Sequence, residues 1–401
     1  MDVNKRVVML ILTDNCNLRC TYCYENDGSG SSMSFETAKA ILDKEFDALP
    51  ANDRRRIEFF GGEALLRFEL IKKIYDYIME KYPEGETRFA FTTNGTKMHG
   101  EVRQWFWERR QNFECTLSLD GTAEMHNLNR RMKDGRGSFE QIDLPFFLEA
   151  WPGCTAKMTI SLDTLPDFAE GIMYLEKLGF YCKATFASGI DWKLDENADI
   201  LMREMNKLTA YYSQNNIPLC NMLNLDLRAI FATADAPFRY CEAGVGKTCY
   251  DMRGRAYPCQ GLASVSVGEE KAALFENERF ENFCMSANNP CRACLWKRIC
   301  RTCYAANYLE TGSIEQNCES MCFLSRISIL ASSAIQFHRI IKKEEKNAVD
   351  LLTLKAVGLI QKKVLTDYGM AVQKCTFWYD STVYYKKKLI NRQRKEYLRC
   401  Y

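Results

Sequence analysis

The first two hundred residues alternate short apolar runs with helical patterns, and this alternation constrains the fold more than any other feature. The runs are rich in β-branched and aromatic residues, and each is followed by a helix or a long loop. Because such units favour parallel strands with right-handed crossovers, the pattern predicts an α/β fold. A partial (β/α)6 TIM barrel fits better than a doubly wound sheet. The six predicted strands are Val7–Thr13, Ile57–Phe60, Arg88–Thr93, Glu114–Leu119, Ala156–Ser161 and Tyr181–Ala187.

Helical patterns separate these strands and continue after them. Residues 190–235 read as mainly helical and connecting, and a lysine-rich tail runs to Tyr401. Polar and glycine-rich signals fall at the carboxyl ends of the strands, which is the edge where parallel α/β proteins bind ligands. The predicted helices begin at Phe35 or span Phe68–Tyr82, Glu101–Arg110, Phe168–Leu178 and Leu324–Glu345.

Three cysteines follow the first strand on one tight loop, Cys16, Cys20 and Cys23. Thiolates at this spacing can point at a single cluster. An iron–sulfur cube normally takes four cysteine ligands, so three from one loop leave one iron open to a ligand that is not protein. The alternative is three structural thiols or part of a zinc site, although zinc sites favour paired Cys-x2-Cys hooks closed by four ligands.

A second group of ten cysteines lies between Cys241 and Cys322, more than half of the nineteen in the chain. Eight of them could complete two four-thiolate clusters of the kind that carry electrons. A pair of structural zinc sites is the alternative for this region. The other cysteines, Cys115, Cys154, Cys182, Cys220, Cys284, Cys375 and Cys400, are expected to be buried small hydrophobes or surface thiols.

Composition excludes several classes of partner. The chain has 401 residues and a net charge of +2, which implies neither a nucleic-acid nor a membrane partner. No segment was expected to reach the eighteen or more apolar residues of a membrane helix. The protein is therefore expected to be cytoplasmic and reduced, so metal explains its many cysteines better than disulfides do.

The run Cys16-x3-Cys20-x2-Cys23, with Tyr22 before the last cysteine, resembles the signature of radical S-adenosylmethionine (SAM) enzymes. The resemblance also implies the partial barrel. It implies that these cysteines hold a [4Fe-4S] cluster whose open iron is chelated by SAM. An injected electron then cleaves SAM to methionine and a 5′-deoxyadenosyl radical, which abstracts hydrogen from the substrate.

The resemblance suggests SAM contacts at the strand ends. Gly61-Gly62-Glu63 matches the family's GGE motif: two glycines would let the backbone approach the methionyl group, and the carboxylate would accept from its ammonium. A turn followed by a surface acid is the alternative. Ser118 and Asp120 would bind the ribose hydroxyls, or form a turn. Further candidates are Tyr22 near the adenine, Thr93 and Asn94 at the same end, and Arg130 or Arg131 for the SAM carboxylate.

The cysteine-rich region resembles the SPASM extension of radical SAM peptide-modifying enzymes, with Gly254 five positions before Cys259. One spacing departs from that pattern, because Cys303 follows Cys300 after two residues instead of three. Cys318 is a rival for the last ligand position. The resemblance assigns a first auxiliary [4Fe-4S] cluster to Cys241, Cys249, Cys259 and Cys303, and a second to Cys291, Cys294, Cys300 and Cys322. The predicted domains are a radical SAM barrel at 1–225, a SPASM domain at 226–330 and a helical segment at 331–401.

The whole pattern resembles ribosomal-peptide (RiPP) maturases and anaerobic sulfatase-maturating enzymes. It implies oxidation of a precursor peptide to a thioether or carbon–carbon crosslink, with electrons from a protein such as flavodoxin or ferredoxin. The first strand starts at Val7, so leader binding is expected to fall to a separate protein or to other surfaces, such as the basic tail Lys386–Arg399.

The alternatives are oxidation of a protein Cys or Ser side chain, another radical SAM oxidation, or a zinc-binding protein without catalysis. Gln260 stands where sulfatase maturases carry an aspartate, which argues against sulfatase oxidation and leaves Asp251 as a weak candidate base. No catalytic base is identified from the sequence, and the three histidines are expected to be satisfied or exposed.

Overall fold

The computed structural model describes residues 5–25, 30–47, 49–50, 53–232, 241–280, 285–286 and 288–368. The strands are β1 (Lys5–Ile11), β2 (Leu18–Cys20), β3 (Arg54–Phe60), β4 (Thr87–Thr93), β5 (Phe113–Ser118), β6 (Arg130–Met132), β7 (Thr155–Ile160), β8 (Tyr181–Phe186), β9 (Lys247–Tyr250) and β10 (Ala256–Tyr257). The helices are α1 (Phe35–Phe46), α2 (Phe68–Lys81), α3 (Gly100–Arg109), α4 (Ala123–Asn129), α5 (Leu144–Ala150), α6 (Phe168–Leu178), α7 (Asp195–Gln214), α8 (Ser264–Val267), α9 (Glu269–Ala272), α10 (Tyr304–Thr311), α11 (Glu319–Ile341) and α12 (Ala348–Tyr368).

The main sheet has eight strands in the order β10-β9-β1-β3-β4-β5-β7-β8. The six from β1 to β8 in this row pair in parallel and match the six predicted strands, with bounds that differ by at most a few residues. Helices connect most of these strands, as a partial (β/α)6 barrel requires. The predicted α/β fold is therefore confirmed.

The core of the barrel is strongly aromatic. Phe113 stacks on Phe89 with ring centroids 5.2 Å apart and meets Phe106 edge-on at 5.0 Å. Each such pair contributes about 0.5–1.5 kcal/mol beyond the burial of its area. All three rings are at most 3% exposed. This packing fixes α3 against β4 and β5 and so holds the loops at the carboxyl ends of those strands in place.

The cysteine-rich region is joined to the barrel by hydrogen bonds. Strand β9 pairs in parallel with β1, with Met9 opposite Cys249, and β10 folds back on β9. The turn between β9 and β10 contains Gly254, whose φ of +83° is one that glycine adopts without a steric penalty. Cys249 and Cys259 are thereby brought to the same end of one hairpin.

Two long helices complete the described chain. Helix α11 starts five residues before the predicted Leu324, and it packs against α7 and α12. By length and composition alone α11 could cross a membrane, contrary to the expectation from the sequence, but 61% of its most apolar window is buried within the protein. That burial is typical of a core helix. The basic tail Lys386–Arg399 lies outside the described residues.

Candidate active site at the cysteine loop

A cavity of about 980 Å³ opens at the carboxyl ends of the barrel strands. The cysteine loop forms one wall and the start of α11 forms another. The edge of the sheet predicted to bind ligands is therefore the edge that carries the cavity. Among the residues predicted from the sequence, those that line it are Cys16, Cys20, Tyr22, Cys23, Gly61, Gly62, Glu63, Thr93, Asn94, Ser118, Arg130 and Cys303.

The glycine pair after β3 packs against the start of the cysteine loop. A Cβ at Gly61 would stand 2.3 Å from the Thr13 carbonyl oxygen, and one at Gly62 would stand 2.3 Å from that of Asn15. The Gly62 amide donates to Thr13 O at 2.9 Å. Any larger residue would push the loop away from β3, so contact with the cysteine loop already requires both glycines. The GGE motif in the sequence predicts only the approach of the backbone to SAM as the reason for these glycines.

Glu63 is a buried carboxylate with several protein partners. Its Oε1 accepts from Leu65 N at 3.0 Å and from Thr93 Oγ1 at 2.8 Å, while its Oε2 accepts from Asn94 N at 2.8 Å. Burial raises the pKa of Glu63, and these hydrogen bonds oppose the shift. Glu63 therefore holds the end of β4 beside the cysteine loop through these hydrogen bonds. This role does not depend on whether Glu63 also accepts from the SAM ammonium.

The loop is also tied directly to the end of β4. Asn94 Nδ2 donates to Asn17 Oδ1 at 3.0 Å, and Asn17 Nδ2 donates to Thr96 Oγ1 at 2.8 Å. Asn17 lies between the first two predicted cluster ligands. The Asn94–Gly95 turn therefore has a second role, since it positions the loop that carries the thiols.

Asp120 does not line the cavity and is fully buried. It pairs with Arg130, whose Nη2 donates to Asp120 Oδ1 at 3.1 Å, and Thr159 N donates to the same oxygen at 2.8 Å. The Tyr22 hydroxyl donates to Asp120 Oδ2. Tyr22 and Asp120, predicted for adenine and ribose, thus bind each other in this structure. The Arg130 guanidinium lies 5.4 Å from the centre of the Tyr22 ring.

Arg130 reaches the cysteine loop through a short antiparallel ribbon. Strands β2 and β6 pair Cys20 with Arg130. Burial raises the pKa of the Cys20 thiol to about 11, and the positive charge of Arg130 opposes that shift. Burial likewise raises the pKa of Cys16 to about 12. These thiols are protonated without metal, so a cluster binding here would release protons, and Arg130 would offset the negative charge of its ligands.

The four cysteines assigned to the first auxiliary cluster converge next to β9. Burial raises the pKa of Cys259 to about 12, and the neighbouring thiols of Cys303 and Cys241 add to that shift. Burial also raises the pKa of Cys249, and the neighbouring Cys259 adds to that shift. Cys249 lies on β9, Cys241 and Cys259 lie on the segments that flank the β9–β10 hairpin, and Cys303 directly precedes α10. Cys303 also lines the main cavity, so this group forms part of its wall.

The second auxiliary group surrounds a separate small pocket. Cys291, Cys294, Cys300 and Cys322 all line it. Cys318 does not, because its thiol accepts from Met321 N at 3.3 Å and caps the start of α11. The arrangement places Cys322, one turn into the helix, with the other three thiols. A set of four thiols around one pocket fits the donor chemistry of an iron–sulfur cluster.

Neither Asp251, the candidate base, nor position 260, where sulfatase maturases carry an aspartate, lines the cavity. Asp251 is buried and held by Arg255, whose Nε donates to Asp251 Oδ2 at 2.8 Å. Asp251 thus stabilises the β9–β10 turn. Gln260, in the position where sulfatase maturases carry aspartate, does not line the cavity either.

His126 is the one histidine near the site, and it is fully buried. Its Nδ1 accepts from Asp120 N at 3.4 Å, and its Nε2 lies 3.0 Å from Ser138 Oγ. It is therefore a hydrogen-bonded core histidine, as expected from the sequence.

Lys157 and Glu25 are among the charged residues of the cavity that were missed from the sequence. Both residues line the cavity: Lys157 lies on β7, and Glu25 lies two positions after Cys23. Burial lowers the pKa of Lys157 to about 8 and raises the pKa of Glu25 to about 7. The signal available in the sequence was Lys157 itself, a charged residue within a strand of alternating buried and partly exposed residues. Arg130 was named only for SAM, since a three-residue ribbon leaves no periodic pattern.

The sequence matches the Radical SAM superfamily over residues 10–143. An uncharacterized protein of Methanocaldococcus jannaschii is 30% identical over 207 residues, which cover 50% of this chain and 69% of that protein. A cysteine-type anaerobic sulfatase-maturating enzyme of Clostridium novyi is 31% identical over 150 residues, which cover 34% of this chain and 39% of the enzyme.

Two solved structures share the fold at low sequence identity. The structure of anSMEcpe with bound AdoMet has a TM-score of 0.64 at 17% identity, over 87% of this chain and 98% of that one. Streptococcus suis SuiB bound to precursor peptide SuiA has a TM-score of 0.55 at 17% identity, over 80% of this chain and 76% of SuiB. The likeness therefore extends past the barrel into the cysteine-rich region.

These findings define the class: the chain belongs to the radical SAM superfamily and is a radical SAM enzyme related to sulfatase maturases and RiPP-modifying enzymes. Membership implies a [4Fe-4S] cluster and SAM, and the three thiols beside the cavity fit that cluster. The alignment spans less than two thirds of the Clostridium novyi enzyme.

Proposed function

We propose that this enzyme is a peptide maturase that oxidatively crosslinks a ribosomally made peptide through a thioether or carbon–carbon bond. Cys16, Cys20 and Cys23 would hold the SAM-binding cluster. The bound cluster and SAM would supply an electron and a 5′-deoxyadenosyl radical that takes a hydrogen atom from the peptide. In the cytoplasm, a flavodoxin or ferredoxin would deliver that electron.

One observation carries the proposal: a single cavity of about 980 Å³ reaches from the cysteine loop to Cys303 of the first auxiliary group. Pockets for drug-sized ligands are roughly 300–1,000 Å³, so this cavity is large enough for SAM together with part of a second molecule. SuiB, which shares the fold, binds its precursor peptide. A peptide side chain entering this cavity would lie between the radical source and an auxiliary cluster.

The electron balance supports two auxiliary clusters. Hydrogen abstraction removes one electron and one proton from the peptide as a hydrogen atom. Formation of the crosslink then releases a second proton and a second electron. That electron needs an acceptor, which the cluster on Cys241, Cys249, Cys259 and Cys303 would provide at the cavity wall. The cluster on Cys291, Cys294, Cys300 and Cys322 would carry it onward towards the surface.

The residues around the cavity would keep the reaction ordered. Glu63 and Asn94 hold the cysteine loop against the strand ends, and Arg130 provides positive charge beside Cys20. The apolar wall from Met222, Leu225 and Leu324 would exclude water from the radical. Exclusion of water prevents side reactions of reactive intermediates.

The test is co-expression of the enzyme with peptides encoded by short reading frames next to its gene, followed by mass spectrometry. We expect loss of two hydrogens from one peptide and fragmentation that stops at a new internal link. A Cys20→Ala variant is the control, since it removes one ligand of the SAM-binding cluster. An unmodified peptide with a wild-type enzyme that contains iron and forms deoxyadenosine would contradict crosslinking.

A second candidate is sulfatase-maturase-like oxidation of a protein Cys or Ser to an aldehyde, which the Clostridium novyi relative and the anSMEcpe fold favour. Neither Gln260 nor Asp251 lines the cavity, which weakens it. An aldehyde product reacts with hydrazides, whereas a crosslink does not. Iron, sulfide and zinc analysis of anaerobically purified protein distinguishes both candidates from a zinc-binding protein without catalysis.

A further inference from the structure

Lys157 stands on the floor of the cavity, below the ends of the strands. In β7 it pairs with Ser118 of β5 on one side and Lys183 of β8 on the other. Its neighbours Ala156 and Met158 point into the apolar core, and both are fully buried. Because side chains alternate along a strand, the Lys157 side chain points the other way, into the cavity that it lines.

The positive charge of Lys157 is not matched within the described part of the chain. No ion pair of its ammonium is found there, whereas Arg130 nearby is already paired with Asp120. Glu25, one of the acids that line the cavity, interacts electrostatically with Lys157, and one of its carboxylate oxygens is buried without a hydrogen-bond partner among the described residues.

The surroundings of Lys157 disfavour its charge. The pKa of the Lys157 ammonium is lowered to about 8, mainly by burial and also by the positive charges of Arg130 and Lys183. The negative charges of Glu25 and Asp120 oppose this shift in part. A lysine that serves only structure is normally paired or exposed when it is charged. A cavity floor with excess positive charge is instead complementary to an anionic group of a ligand.

We propose that Lys157 is a substrate-binding residue that pairs with a carboxylate of the peptide, either an Asp or Glu side chain or the C-terminus. This inference rests on the proposed function. The methionyl end of SAM would sit at the cysteine loop and at Gly61-Gly62-Glu63, next to β1 and β3. Strands β4 and β5 separate that position from Lys157 on β7. The carboxylate that reaches Lys157 therefore belongs to the second molecule in the cavity.

The test measures how fast Lys157 is acetylated by a short pulse of acetic anhydride, using iron-loaded enzyme with SAM under anaerobic conditions. Three N-acetylated peptide probes compete at millimolar concentration: acetyl-Ala-Asp-Ala-amide, its Asn counterpart, and acetyl-Ala-Ala-Ala with a free C-terminus. Mass spectrometry of the Lys157 fragment gives the rate. Lys183, on the adjacent strand, and Lys133, at the cavity wall, are internal controls.

We expect a carboxylate probe to slow acetylation of Lys157 severalfold relative to the Asn probe, with the controls unchanged. Protection by the Asp probe points to a side chain, and protection by the free acid points to the C-terminus. Equal rates with all three probes would overturn the inference.

A second result would also overturn the inference: SAM alone protects Lys157 from acetylation, and decarboxylated SAM does not. In that case Lys157 would bind the methionyl carboxylate of SAM. The labelling rate does not depend on turnover. Failure of the proposed function, seen as an unmodified peptide on co-expression, is therefore distinguishable from failure of this inference.

Discussion

The Arg130 guanidinium and the Asp120 carboxylate form a buried ion pair, with Nε of Arg130 3.1 Å from Oδ2 of Asp120. Asp120 lies two residues after the end of β5, and Arg130 pairs through β6 with Cys20. The pair therefore links the sheet of the barrel to the loop that carries the thiols. It also explains why a motif predicted to bind ribose is engaged with protein instead.

Replacement of Asp120 by Asn should destabilise the protein by about 3–5 kcal/mol, because it leaves the Arg130 charge buried without an anionic partner. The free energy of unfolding in urea measures this directly. Asp143→Asn is the matched control, since Asp143 forms an exposed pair with Arg103 at 2.7 Å and exposed pairs contribute at most about 1 kcal/mol. Equal losses in the two variants would refute the structural role of Asp120.

A methyl group at Gly62 should displace the cysteine loop. Its Cβ would stand 2.3 Å from the Asn15 carbonyl oxygen, which is backbone and cannot turn aside. We expect Gly62→Ala to lose about 1–3 kcal/mol of stability through overpacking and to lose iron from the SAM-binding cluster. Electron paramagnetic resonance with and without SAM measures that cluster.

Gly135→Ala is the control for Gly62→Ala, because nothing lies within 4 Å of its added Cβ, although its φ is +87°. That variant should lose only about 1–2 kcal/mol from the left-handed conformation and keep its SAM-sensitive signal. If Gly62→Ala also keeps that signal, the glycine is not required for the loop.

Cys322→Ala and Cys318→Ala should behave differently. Cys322 lines the small pocket with Cys291, Cys294 and Cys300, whereas Cys318 caps α11. If each cluster is a cube of four irons, Cys322→Ala should lower the iron content from about twelve to about eight per chain. Cys318→Ala should retain iron and lose only about 1 kcal/mol of helix capping. The reverse result would make Cys318 the ligand.

Stability should fall as the pH drops below 6.5 because of His126. Burial lowers its pKa from 6.5 to about 3, and the charge of Arg130 adds to that effect. Between these values the unfolded chain binds a proton that the folded protein does not. The loss therefore approaches about 1.4 kcal/mol per pH unit within this window.

Urea unfolding of the metal-free protein at pH 7 and pH 5.5 measures the dependence on His126. A His126→Gln variant should show a smaller change between the two pH values, because it lacks the titrating ring. His99→Gln serves as the control and should keep the wild-type change. A His126→Gln variant with the wild-type dependence would show that another group is responsible.

Local pattern was sufficient for much of the barrel. The six predicted parallel strands are present, and α6 has the predicted bounds, because apolar periodicity and turn residues are properties of neighbouring residues. Strand β9 is a different case. Its pairing with β1 joins residues about 240 positions apart along the chain. Strand β9 has only four residues, which is too short for a hydrophobic pattern that would predict this pairing.

The amino-acid sequence by itself determined the class of fold and the loop of three thiols, because apolar periodicity and short spacings are properties of neighbouring residues. The grouping of the auxiliary cysteines came from the resemblance to SPASM extensions. Only the tertiary structure decided that Asp120 and Glu63 hold the cysteine loop in place, that Cys322 rather than Cys318 joins its pocket, and that Lys157 faces the cavity. Each of these contacts joins residues that are far apart in the sequence, so only folding shows which side chains come together. Burial strengthens such contacts because little water screens them.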